Sequence, residues 1–197
     1  MIAIFDYGAG NLRSVANTLE EVGAPYTLVR DAEGLRQASK IVLPGVGHFG
    51  QMMRALDSLG VRAALLECLD AGVPFLGICL GLQALLQSSE EAPEARGLGR
   101  YPGTVTRFPA GSRTPHMGWN EVQPVGRCRL LDGLPANPYL YFAHSYYVPV
   151  SSVTAATCTY SVPYTAVLQA GNVFGVQFHP EKSGPLGLRI VKNFVDL

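Results

Sequence analysis

The sequence predicts an α/β fold: a mostly parallel sheet with helices on both faces and an antiparallel β extension in the second half. Three observations predict it. Short apolar runs alternate with helix-period segments through the first hundred residues, the ordering a parallel sheet requires. Those runs are apolar at consecutive positions rather than at every second one, as in strands covered on both faces. Past Pro93 the composition turns to Pro, Gly, Thr and Tyr, with short β-like runs.

Each element has its own signal. Ile2–Phe5 is an apolar run closed by the turn-like Asp6-Tyr7-Gly8-Ala9-Gly10. Asn11 is the expected N-cap of a helix whose Leu12, Val15, Leu19 and Val22 share one face and which Gly23 ends. Tyr26–Val29 reads as a second strand and 41–43 as a third, closed by Pro44-Gly45-Val46-Gly47. Helical spacing returns over 49–59 and 61–70, a fourth strand is expected over 73–78, and a helix over 80–87. The runs at 101–107, 139–142, 146–150 and 153–159 read as antiparallel strands at a sheet edge. Two more strands, 166–169 and 173–178, flank the turn Ala170-Gly171-Asn172. A last helix carries Leu186, Ile190 and Phe194 at four-residue spacing. With no repeat and no low-complexity linker, residues 1–197 read as a single domain.

Composition narrows the function. Hydrophobic residues make up 48% and charged residues 15%, which excludes a disordered chain. Fifteen basic residues balance fifteen acidic ones, which argues against general binding to nucleic acid or an anionic membrane, since both need a positive field. The first residues carry no basic leader, and the most apolar stretch, 73–86, is interrupted by Pro74, Gly77, Gly81 and Gln83. Neither a signal peptide nor a membrane span is therefore expected. Cys68, Cys79, Cys128 and Cys158 form no CxxC pair, so a zinc ribbon or dithiol redox motif is not supported; reduced thiols in the cytoplasm are.

The chemistry concentrates at Gly77-Ile78-Cys79-Leu80-Gly81, between an expected strand and an expected helix. This is a nucleophile elbow with Cys in place of Ser. The sharp turn lifts the thiol off the sheet, the glycines permit close packing, the helix N-terminus favours thiolate, and the Leu80 N–H faces any oxyanion formed beside the sulfur. A thiol nucleophile needs a base. His179 follows the strand 173–178 and reaches the same sheet edge as Cys79 if the two strands are parallel. Glu181, one residue past Pro180, can turn back onto the imidazole as its orienter. The Gly-rich loop at Pro44-Gly45-Val46-Gly47 ends another strand, and Val46 and Gly47 are the candidates for a second oxyanion donor. Gly8 and Gly10 fail as a dinucleotide fingerprint because Arg13 stands where the third glycine belongs. Taken alone, the clusters around His116 and His144 read as structural.

Gly77-Ile-Cys-Leu-Gly-Leu-Gln83 and Phe178-His-Pro-Glu181 resemble the two signatures of the class I (triad) glutamine amidotransferases. The segments Asp6-Tyr-Gly-Ala-Gly-Asn11, Pro44-Gly-Val-Gly-His-Phe49, Pro115-His-Met-Gly-Trp-Asn120 and Tyr141-Phe-Ala-His-Ser-Tyr146 are similar to the branch of that family that serves imidazole glycerol phosphate synthase. The resemblance runs from Ile2 to Phe194. It implies a flavodoxin-like fold and hydrolysis of glutamine to glutamate and ammonia, with ammonia channelled to a separate (β/α)8 cyclase subunit that makes imidazole glycerol phosphate and a purine precursor. It implies that Cys79 forms the glutamyl thioester, His179 shuttles protons and Glu181 orients it. Gln83, His144, Ser145 and Tyr146 would hold the glutamine, and no metal or organic cofactor would be needed.

Other readings remain open on the residues alone. They are a glutaminase serving another synthase, a Cys–His amide hydrolase on the same scaffold, and an inactive regulatory subunit. Trp119, expected in a Gly-rich polar loop, is either a core plug or an exposed anchor. With Lys182 it is expected to face the synthase partner.

Overall fold

The computed structural model describes residues 1–197. Eight strands form one sheet in the order β2 (Tyr26–Val29), β1 (Ile2–Phe5), β3 (Lys40–Gly45), β4 (Phe75–Cys79), β13 (Val173–Val176), β12 (Val162–Ala170), β11 (Thr154–Tyr160) and β8 (Gln123–Pro124). The first five are mutually parallel and the last three antiparallel. The helices are α1 (Leu12–Glu21), α2 (Ala32–Arg36), α3 (Phe49–Ser58), α4 (Arg62–Asp70), α5 (Leu80–Gln83) and α6 (Gly184–Val195).

Strand periodicity explains why the sheet needs cover on both faces. Along β1, Ile2 and Ile4 join one buried cluster, with Val15 and Leu19 of α1 and Ile190 and Phe194 of α6. Ala3 and Phe5 join the other, with Met52 and Leu56 of α3 and Leu65 and Leu69 of α4. Each fully buried Leu, Ile or Phe contributes about 1.5–3 kcal/mol of transfer free energy. Asn11 stands at the N-cap of α1 as expected, but its side chain accepts from the Ser14 hydroxyl (2.8 Å) rather than from a backbone N–H.

The structure departs from expectation past residue 83. The helix expected over 80–87 is a single turn, α5, followed by β5 (Leu86–Ser89). The cause is tertiary: Leu86–Ser89 extends to pair with Tyr101–Arg107, and the carbonyls of Ala84, Leu85 and Leu86 accept from the N–H groups of Leu98, Tyr101 and Gly99. Of the four β-like runs, only 153–159 becomes part of the large-sheet edge, as β11. The run at 101–107 is β6 (Tyr101–Arg107), paired parallel with β5 and antiparallel with the short β10 (Tyr146–Tyr147). The run at 139–142 is β9 (Tyr139–His144), paired with β7 (His116–Glu121) in a separate two-stranded ribbon. Trp119 therefore lies in a strand, not in a loop. No helix is long and apolar enough to cross a membrane, and all four cysteines are free and buried.

Candidate active site

Cys79 ends β4 and is the residue before α5. Its φ of +54° is left-handed, unusual for a side-chain-bearing residue and typical of a strained functional turn. The neighbouring glycines serve close approach. A Cβ on Gly77 would lie 2.5 Å from the Gly81 carbonyl, and one on Gly81 would lie 2.0 Å from the Leu43 oxygen. Because α5 has only four residues, a helix dipole contributes little at the sulfur. What remains is local: Leu80 is the first residue of α5, so its N–H has no partner within the turn.

β13 runs parallel to β4 with Val176 opposite Ile78, so both chains leave the sheet at the same edge. That register brings His179 and Cys79 to the wall of one cavity. The His179 Nδ1 pairs with Glu181 Oε1 at 2.8 Å, and both side chains are buried. Burial alone would lower the imidazole pKa; the Cys79 sulfur and the Glu181 carboxylate outweigh it and hold the ring protonated to higher pH. The second carboxylate oxygen, Glu181 Oε2, is buried without a partner, so His179 is the one group the carboxylate serves. The His179 N–H donates to the Tyr141 carbonyl (2.8 Å), and the Ser183 hydroxyl donates to the His179 carbonyl (2.7 Å), which pins the turn Pro180–Lys182.

A cavity of about 320 Å³ opens on the sulfur. Val46, Gly47, Leu80, Gln83, Ser145 and Tyr146 line it beside Cys79 and His179. The Val46 N–H donates to the Tyr7 hydroxyl (3.3 Å), which in turn donates to the Val46 carbonyl (3.4 Å). Gly47 has a φ of +93°, which the loop's turn requires. Gln83 Nε2 donates to the Tyr146 carbonyl (2.9 Å) and to Gln177 Oε1 (3.1 Å), leaving its Oε1 as an unused acceptor.

His144 also lines the cavity, but both its ring nitrogens are engaged inside the protein. Nδ1–H donates to the Tyr146 carbonyl (2.8 Å), and Nε2 meets Tyr164 Oη and His116 Nδ1 (3.3 Å each). Burial pushes its pKa down to about 3 and that of His116 down to about 4. The His144 ring is thus held from within the protein, and the residue meets the cavity as part of its wall.

Trp119 is 55% exposed, which excludes the core-plug reading. Its ring meets Tyr141 edge-on at 6.1 Å, and Lys182 Nζ sits 5.8 Å above the same Tyr141 ring. Lys182 also lines the cavity. Two residues escaped the sequence reading. Glu91 lines the cavity and its Oε2 accepts from the Phe49 N–H (2.7 Å) at the start of α3. Gln177, fully buried, donates from Nε2 to Cys79 Sγ (3.5 Å). Neither had a local signal: Glu91 sits in an acidic surface run and Gln177 in an apolar strand. No group of three His, Cys, Asp or Glu side chains is arranged to hold a metal ion.

The arrangement can activate a thiol and pass a proton through an oriented imidazole, the equipment of acyl transfer through a covalent thioester. Comparisons with known proteins point the same way. Residues 3–197 match the family described as glutamine amidotransferase class-I. The chain is 47% identical over 196 residues to the imidazole glycerol phosphate synthase subunit HisH of Desulfitobacterium hafniense (strain Y51), covering 98% of this chain and 93% of that protein. It is 48% identical over 198 residues to the subunit of the same name from Methanothermobacter thermautotrophicus, covering 100% and 98%. Among solved structures, a glutamine amidotransferase superposes with a TM-score of 0.78 at 18% identity, covering 99% of this chain and 97% of that one. The PurLQS structure from Thermotoga maritima superposes at 0.77 and 19%, with the same coverage.

Proposed function

The chain belongs to the class-I glutamine amidotransferases, and on that premise we propose that it is the glutamine-hydrolysing subunit of an imidazole glycerol phosphate synthase, acting in histidine biosynthesis. One observation carries the chemistry: Cys79, His179 and Glu181 meet at the carboxyl edge of two parallel neighbouring strands.

The Cys79 thiolate attacks the side-chain amide carbon of glutamine. Charge develops on the amide oxygen, for which the Leu80 and Gly47 N–H groups are the candidate donors; the Val46 N–H, expected in that role, is taken by the Tyr7 hydroxyl. Imidazolium His179, held in orientation by Glu181, gives its proton to the departing nitrogen; the C–N bond breaks and ammonia leaves a glutamyl thioester. Neutral His179 then takes a proton from water, whose oxygen attacks the thioester. The C–S bond breaks, glutamate leaves, and thiolate and imidazolium are restored. Gln83 Oε1 and the Glu91 carboxylate are the acceptors suited to the α-ammonium of glutamine, with Ser145 and Tyr146 as cavity wall. Residues 1–197 act as one catalytic domain in the cytoplasm, and no cofactor takes part.

Ammonia passes to a cyclase subunit docked over the mouth. The exposed Trp119, with Tyr141 behind it and Lys182 at the cavity rim, supports this orientation, because Trp and Tyr concentrate at binding hot spots. The test is glutamate release by the purified chain with and without a cyclase subunit, beside product formation with glutamine or ammonium as nitrogen source. Cys79→Ala abolishes the glutamine-dependent reaction and spares the ammonium-dependent one. Hydrolysis of other amides or peptides, with none of glutamine, overturns the proposal.

A further inference from the structure

We infer that Gln177 is a further catalytic residue: its side-chain amide donates a hydrogen bond to Cys79 Sγ and stabilises the thiolate. The geometry leaves its amide no second orientation. A backbone carbonyl can only accept, so the Gln83 group against the Tyr146 carbonyl (2.9 Å) is its NH2. That same NH2 lies 3.1 Å from the Gln177 amide, which must therefore present its oxygen to Gln83. The other end of the Gln177 amide, its NH2, then faces Cys79 Sγ at 3.5 Å. Orientation is relayed from one backbone carbonyl through two side chains to the sulfur.

The relay is anchored at both ends. The Tyr146 carbonyl receives a second donor, His144 Nδ1–H at 2.8 Å, so both of its lone pairs are occupied. Behind His144, Tyr164 and His116 close a buried polar cluster, and Asn120 Nδ2 donates to His116 Nε2 (3.3 Å). At the near end, the Gln177 backbone N–H donates to the Ala166 carbonyl (2.9 Å), which fixes the residue against β12. Gln177 has no exposed surface and Gln83 almost none. A buried amide costs free energy unless each polar end has a partner, and here the second donor's partner is the reacting atom.

The chemical consequence follows from charge. An N–H donor aimed at a sulfur strengthens when that sulfur is anionic, so the contact favours thiolate over thiol in a place where burial alone disfavours charge. The one-turn α5 has little dipole to offer, which leaves this side-chain donor and the His179 imidazolium as the charge-stabilising partners of Sγ within the protein interior.

The inference rests on Cys79 being the nucleophile, which Cys79→Ala tests separately. The experiment compares Gln177→Met, of similar volume with no donor, and Gln177→Glu, isosteric with an ionisable acceptor. For each, melting temperature, glutaminase kcat and KM with the cyclase subunit bound, and the pH profile of iodoacetamide labelling at Cys79 read by peptide mass are measured. In folded Gln177→Met, the acid limb of the labelling profile moves to higher pH and kcat falls about tenfold or more, the scale of a hydrogen bond to a charged group, while KM changes less. In Gln177→Glu both effects are larger. A folded variant of either kind that keeps the parent labelling profile and kcat, with only its melting temperature lowered, shows Gln177 to be a core filler and overturns the inference. If Cys79→Ala itself retains glutaminase activity, the proposed function fails first.

Discussion

The carbonyl of Tyr141 accepts the backbone hydrogen bond of His179 at 2.8 Å, and the ring of Tyr141 carries Trp119 and Lys182 on its outer side. One residue of the two-stranded ribbon thus holds the catalytic imidazole from within and the exposed aromatic and cationic groups from without. Strand alternation produces the division: Met117, Trp119 and Glu121 face outward opposite Ala143, Tyr141 and Tyr139, while His116 and Asn120 face inward. Pressure on the outer face of the ribbon has a short mechanical path to His179.

Trp119→Ala weakens association with the cyclase subunit by about 2 kcal/mol or more, the range of an aromatic hot spot. Because Trp119 is exposed, the melting temperature of the isolated chain stays near the parent value, as for surface substitutions within about 0.5 kcal/mol. Titration of the variant against the partner, set beside thermal melts of the chain alone, checks both halves. Unchanged affinity with a collapsed melt refutes the assignment.

The elbow makes a second, inverted prediction. Ala normally exceeds Gly in stability by about 0.5–1 kcal/mol in regular structure. At position 79 the backbone holds φ at +54°, where Gly is comfortable and Ala is not. Cys79→Gly is therefore at least as stable as Cys79→Ala, though neither hydrolyses glutamine. Urea unfolding of the two inactive variants decides it; a clear advantage for Ala shows that the turn relaxes without strain.

Glu181→Gln keeps the shape of the orienter and removes its charge. Glu181 is buried and pairs with His179 Nδ1 at 2.8 Å, so the imidazolium loses its stabilising partner. Glutaminase kcat falls by more than about tenfold, yet less than in Cys79→Ala, because triad members act as a unit and the orienter's removal often costs less. A parent-like rate in steady-state assays makes Glu181 a structural group only.

How much of this was legible in the sequence depended on distance along the chain. The elbow around Cys79 and the run His179-Pro180-Glu181 are each contiguous, so their residue types spell out their chemistry. Gln177 reaches the Cys79 sulfur, and Glu91 the cavity, only through strand register and the packing of α3, and neither carries a local signature. The ribbon was missed because Gly118 and Pro115 mask its alternation, and its pairing partner begins only at Tyr139. The helix expected over 80–87 was overruled by the strand pairing of Leu86–Ser89 with Tyr101–Arg107, which no periodicity within 80–87 reveals. His144 could be placed beside the cavity by resemblance, but that its ring is engaged by Tyr146, Tyr164 and His116 is a tertiary fact.

That buried cluster lowers the stability of the protein in acid. Burial depresses His116 to about 4 and His144 to about 3, against about 6.5 for an unfolded histidine. Between those values and 6.5 the unfolded chain binds more protons than the folded one, so stability is fully present above about pH 6.5 and is lost as pH falls toward 4. Each imidazole contributes a slope of up to about 1.4 kcal/mol per pH unit, or roughly twice that for the pair. His179 acts in the opposite sense. Its folded pKa is raised, so its contribution is intact below about 6.5 and is lost only as pH rises through the folded value, leaving it silent in the acid window. Denaturant unfolding at pH 7, 6 and 5 therefore shows steeply declining stability, and His116→Gln, whatever its stability at pH 7, reduces the slope by about half. Stability that is flat from pH 6.5 to 4.5 means that the imidazoles admit a proton without opening the core, through a rearrangement of Tyr164 or Asn120 toward them.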